Sequence, residues 1–66
     1  MRKLTIKKPI VVTEPNKNGW VLKIYQHIYG LRGWVLDSND DVIMTADFYE
    51  KDGDATVYRV KEYFNF

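Results

Sequence analysis

Lys23, Tyr25, His27 and Tyr29 recur at every second position, and a β-strand sends such residues to one face. Cations interleaved with aromatic rings can follow phosphates and stack unpaired bases. The same set also suits a protein contact, because Tyr is enriched at interfaces and pairs across exposed antiparallel strands. Lys7, from a first strand, and Arg32, from a following turn, extend the basic surface. The chain holds 10 Lys and Arg against 9 Asp and Glu and has no RNP-like motif. Protein contact is therefore favoured over nucleic acid.

Asp37-Ser38-Asn39-Asp40-Asp41 carries oxygen ligands at alternating positions, as at the start of a calcium loop. The glycine and the closing glutamate that such a loop needs are replaced by Val42 and Phe48, so the segment reads as a solvated hairpin turn and not a metal site. Its Asp40 and Asp41 can meet basic groups of a partner. His27 is the single histidine, with no orienting group or substrate pocket evident in the sequence. Ser38 sits in a turn without a nucleophile-elbow pattern. The four glycines all have turn explanations and form no phosphate loop. Neither catalysis nor a cofactor is expected.

Sixty-six residues without cysteine make one domain, residues 1 to 66, that must be held by packing alone. Aromatic residues at 15% provide large buried areas, and a second copy completing the core makes a homodimer the expected state. No apolar run approaches the length needed to span a bilayer, and Lys7 and Lys8 interrupt any signal-peptide apolar region. No membrane association and a cytoplasmic location are expected. Residues 1 to 35 hold seven Lys or Arg against one Glu, and residues 36 to 66 hold three against eight acids. Such polarity can neutralise itself within a fold or across a dimer, or attract an anionic partner.

The elements that must position these residues follow from periodicity. Residues 4 to 12 read as a first strand with Leu4, Ile6, Ile10 and Val12 on its apolar face, at an edge or kinked because Pro9 cannot donate to a ladder. Asn18-Gly19 suits a turn. From there Trp20, Leu22, Ile24, Gln26 and Ile28 should face inward, and Lys23, Tyr25, His27 and Tyr29 outward, beside Thr5, Lys7 and Val11. The tetrapeptide Gly-Trp-Val-Leu occurs at 19 to 22 and again at 33 to 36. A five-residue reversal over 29 to 33, with Ile28 opposite Trp34, would put Trp34 and Leu36 on the face of Trp20 and Leu22. An odd loop with Asn39 or Asp40 left-handed would then set Val42 beside Leu36 and Met44 beside Trp34. Gly53 as breaker, Asp54 as N-cap and Val57, Val60 and Phe64 at helical spacing predict a closing helix over about 55 to 64. A fifth strand is the alternative. The expected class is α+β, a four-stranded antiparallel meander with one C-terminal helix packed on the sheet.

Gly33-Trp34-Val35-Leu36, the polar turn, Val42 to Tyr49 and the closing helix resemble the YegP-like ββα repeat, a family of unknown function. Ile43, Ala46, Asp47 and Tyr49 match its second strand. Asp40 stands where that repeat has Gly, and Asp54-Ala55-Thr56 replaces its Ser- and Ala-rich helix start. The resemblance implies a hairpin followed by a helix and no defined activity. Together these readings anticipate a non-catalytic binding or assembly module. Its contact residues are Lys7, Lys23, Tyr25, His27, Tyr29, Arg32, Asp40 and Asp41, with a nucleic-acid-binding sheet platform as the alternative.

Overall fold

Four antiparallel strands follow one another across a single sheet in the order β1-β2-β3-β4. They are β1 (Val11–Val12), β2 (Val21–His27), β3 (Gly30–Leu36) and β4 (Val42–Tyr49), followed by a 3-10 turn over Glu50–Asp52 and one helix, α1 (Val57–Phe64). The computed structural model describes residues 8 to 66, so Lys7 and the start of the predicted first strand lie outside the described residues. The meander and the closing helix are as the periodicity predicts, with the helix formed in place of a fifth strand.

The helix packs its Val60 and Phe64 against Leu22, Ile24, Leu31, Val35 and Phe48 of the sheet, with Val11, Trp20, Ala46 and Val57 at the margin. Leu22, Ile24, Val35 and Val60 are fully enclosed. Burying such a side chain is worth about 1.5 to 3 kcal/mol. That is enough to hold a sequence of weak intrinsic helix propensity on the sheet. The N-cap is Thr56, not the predicted Asp54: its hydroxyl accepts from Arg59 N–H at 3.1 Å. Asp54 instead meets Arg59 Nε at 3.4 Å. Asn65 ends the helix in the left-handed region.

The β3–β4 hairpin is close to expectation. Asp37 N–H donates to Asp41 C=O at 2.9 Å, which leaves a three-residue loop with Asp40 left-handed at φ 67. Val42 is opposite Leu36 as predicted, but Ile43 is an extra residue in a bulge, so Met44 lies opposite Val35 and not beside Trp34.

The β2–β3 hairpin differs. The reversal is only Ile28 and Tyr29, with His27 opposite Gly30. Lys23, and not Ile28, therefore pairs with Trp34. Because a strand alternates faces, this turn sends Leu31, Gly33 and Val35 to the helix and Arg32, Trp34 and Leu36 to the opposite face. Both turn residues keep negative φ, and the unusual backbone falls on Gly30, where a Cβ would strike the Phe48 carbonyl oxygen. The mirror-turn dipeptides that announce two-residue hairpins are absent for that reason. Ile28, predicted inward, is left in the turn at 81% exposure. On β1 the parity is likewise reversed: Val11 lies opposite Ile24 and joins the core, whereas Ile10 and Val12 are exposed.

Candidate functional site on the helix-free sheet face

Strand alternation and the observed register arrange the uncovered side of the sheet in rows. Val12, Lys23, Trp34 and Thr45 form one row, and Tyr25, Arg32 and Asp47 the next. His27, Gly30 and Tyr49 form a third. Tyr25 and Trp34, diagonal neighbours on β2 and β3, bring their rings to 5.0 Å at a 45° tilt. Such a pair adds about 0.5 to 1.5 kcal/mol beyond the area it covers. Gly30 has no side chain to separate its neighbours, and the rings of His27 and Tyr49 meet across it at 5.9 Å.

The charges here are largely settled among themselves. Arg32 Nε donates to Asp47 Oδ1 at 2.6 Å, and Nη2 to Oδ2 at 3.2 Å, a two-pronged contact. That hydrogen bond holds the Asp47 carboxyl below its usual range and, with the attraction of the carboxylate, raises the Arg32 guanidinium. His27 Nδ1 accepts from Tyr29 N–H at 3.0 Å, so the neutral ring carries its proton on Nε2. Nε2 lies 3.9 Å from Asp47 Oδ1, too far for a hydrogen bond, and is enclosed without a hydrogen-bond partner.

Of the predicted contact residues, Lys23, Tyr25, His27 and Arg32 come together on this face. Arg32 sits on β3 and not in a turn, and Asp47 already occupies its charge. Tyr29 lies in the β2–β3 turn, at the sheet end opposite the loop that carries Asp40 and Asp41. Val11, expected outward, faces the core. Asp37 Oδ1 accepts the N–H groups of Asn39 at 2.8 Å and Asp41 at 3.0 Å, which makes the acidic segment a self-bonded hairpin turn. Among the described residues no group of three or more His, Asp or Glu could hold a metal ion.

Trp34, Thr45, Asp47 and Tyr49 were not anticipated here. The signal that could have found them is Gly33: inside a strand, a glycine often marks close approach of another element, and a Cβ there would lie 2.6 Å from Phe64 and 2.8 Å from Val60. Reading Gly33 as helix-facing fixes Trp34 as helix-free. Among the described residues no helix is long and apolar enough to cross a membrane. Comparison with protein-family models, with curated proteins and with solved structures gave no match.

Proposed function

We propose that the chain is a non-catalytic binding and assembly module that takes a protein partner on its helix-free sheet face. The observation that carries this reading is the Tyr25–Trp34 ring pair, half-buried on the sheet side opposite the one that α1 packs against. An apolar, aromatic centre within a polar margin is the anatomy of a protein interface, and Trp and Tyr are the residues that dominate binding energy there. Val12, Ile43 and Tyr49 continue the apolar area outward. Lys23, opposite Trp34 and between two apolar neighbours, would orient a carboxylate on the partner. The occupant that fits is therefore a folded protein surface with an apolar patch beside an acidic group.

A nucleic-acid platform would use the same rings with cations around them. The Arg32–Asp47 pair weighs against it, since it removes one cation and sets an anion on the same face. The deciding experiment measures partner affinity for the native chain and for Tyr25→Ala/Trp34→Ala, with circular dichroism to check folding. A loss of at least about tenfold is expected, as hot-spot residues give. Unchanged affinity would overturn the assignment. Saturable binding of single-stranded oligonucleotides at low salt, lost in the same variant, would transfer the face to nucleic acid.

A further inference from the structure

We infer that two copies of this chain pair through β4, edge to edge and antiparallel about a two-fold axis at Ala46, to make one continuous eight-stranded sheet. The inference deepens the assembly role proposed above and rests on it only in taking the chain to act through protein contacts.

The two sheet edges are built differently. Among the described residues β1, at one edge, pairs only over Val11–Val12, with Pro9 and Pro15 near its ends, the features that blunt an edge against further pairing. β4 at the other edge runs for eight residues without proline. Its one charged residue, Asp47, is held by Arg32 and does not act as a free repelling charge. Exposed apolar side chains gather along it: Val42, Ile43, Met44 and Tyr49 on the strand, and Tyr63 on the helix over Phe48.

The hydrogen-bond pattern selects the register. Glu50 N–H donates to Tyr29 C=O at 2.9 Å, so Met44, Ala46 and Phe48 turn their backbone groups toward β3, and Thr45 and Asp47 turn theirs to the open edge. At one end of that edge Tyr49 C=O already accepts from Asp54 N–H, and at the other Ile43 lies in the bulge. Thr45 and Asp47 are the residues left with both groups open. Setting Thr45 opposite Asp47 of the second copy uses these groups fully. It places Ala46 against its own mate, Met44 against Phe48 on the helix side, and Ile43 against Tyr49 on the other side. A shift one way sets Asp47 against Asp47, two like charges directly opposed. A shift the other way sets Ile43 against Asp47. An isologous contact of this kind closes at two copies.

The register is testable because the chain has no cysteine of its own. Ala46→Cys places its only thiol on the two-fold axis in a non-hydrogen-bonded pair, where Cα atoms about 4.5 Å apart suit a disulfide. Thr45→Cys lies off the axis. Expected results are a native dimer in sedimentation velocity, rapid cross-linking of Ala46→Cys and little of Thr45→Cys under mild oxidation. Thr45→Pro should be monomeric, since the N–H it removes faces the open edge and not β3. Should Thr45→Pro not fold, the cysteine pair still decides. Tyr25→Ala/Trp34→Ala should remain dimeric, which separates this edge from the face proposed for a partner. A monomeric native chain, a dimer that cross-links at position 45 in preference to 46, or a dimer dissolved by the Tyr25/Trp34 change would overturn the proposal.

Discussion

The two copies of Gly-Trp-Val-Leu have identical sequence and opposite orientation. In the first, Trp20 packs at the core margin and Leu22 is fully enclosed, while Val21 lies on the other face. In the second, Val35 is fully enclosed and Gly33 lies under the helix, while half-buried Trp34 and buried Leu36, the latter outside the helix-side cluster, lie on the helix-free side. Gly19 opens its copy from a left-handed turn at φ 79, where an added Cβ would meet Ser38 at an ordinary 3.6 Å. Gly33 is mid-strand and pressed by Phe64 and Val60. A short alternating motif therefore fixes which residues share a face and leaves open which face that is. Turn length and the position of the helix make that choice, and here it sets one tryptophan at the core margin and the other on the helix-free face.

The largest test of this contrast is Gly33→Ala. Its new methyl would overpack the helix contact and should cost about 1 to 3 kcal/mol, read as a fall in urea midpoint. Shortening the obstructing ring with Phe64→Leu should make the two changes less than additive. Gly19→Ala, whose cost of about 1 to 2 kcal/mol comes from left-handed backbone, should combine additively with Phe64→Leu. Equal coupling at both glycines would contradict the assigned faces.

A gentler probe exchanges valine for its hydroxyl isostere in each copy. Val35→Thr buries a hydroxyl in an apolar site and should cost about 1 to 2 kcal/mol. Val21→Thr, on the half-buried helix-free side, should change stability by no more than about 0.5 kcal/mol. Equally small costs at the two positions would mean that the second copy faces the same way as the first.

The smallest effect concerns the ion pair beside Trp34. Asp47 titrates lower in the folded chain than in the unfolded one, so the unfolded state binds more protons as pH falls. The stabilisation from the pair is complete above the unfolded carboxylate value of about 3.9 and is lost as pH drops through the depressed folded value. Arg32 is about half exposed and Asp47 about a third, so screening limits the contribution to less than about 1 kcal/mol. Asp47→Asn should lower stability near neutral pH by up to that amount, leave it unchanged well below the folded value, and so flatten the acid limb of a stability-against-pH curve. An undiminished acid limb would place the pH dependence elsewhere.

Much of the fold was legible because its signals are local. Alternation marked β2, and the polar run Asp37 to Asp41, read as an odd loop with Asn39 or Asp40 left-handed, gave the β3–β4 turn and the Leu36–Val42 pairing. The spacing of Val57, Val60 and Phe64 favoured the helix. Lys23, Tyr25 and His27 were placed correctly for the same reason, since they belong to a strand whose parity is set by Leu22 and Ile24. The rest of the face depended on the Ile28-Tyr29 turn, whose residues carry no mirror-turn signature, and on Gly30, which reads as a loop glycine until Phe48 is seen beside it. The N-cap falls on Thr56 and not on Asp54, although both are capping residue types, and Val57, which follows Thr56, packs against the core at the start of the first turn.

The sequence alone set the four-strand meander, the polar turns and the apolar spacing, because these follow from backbone preferences and periods of two or 3.6 residues; that residues 57 to 64 close as a helix and not a fifth strand was left to the tertiary packing. The tertiary structure decided which side of β3 meets the helix, that Trp34 joins Tyr25, and that Arg32 faces Asp47. Those outcomes depend on Val60 and Phe64 filling the space above Gly33, a contact between residues far apart in the chain that no local pattern encodes.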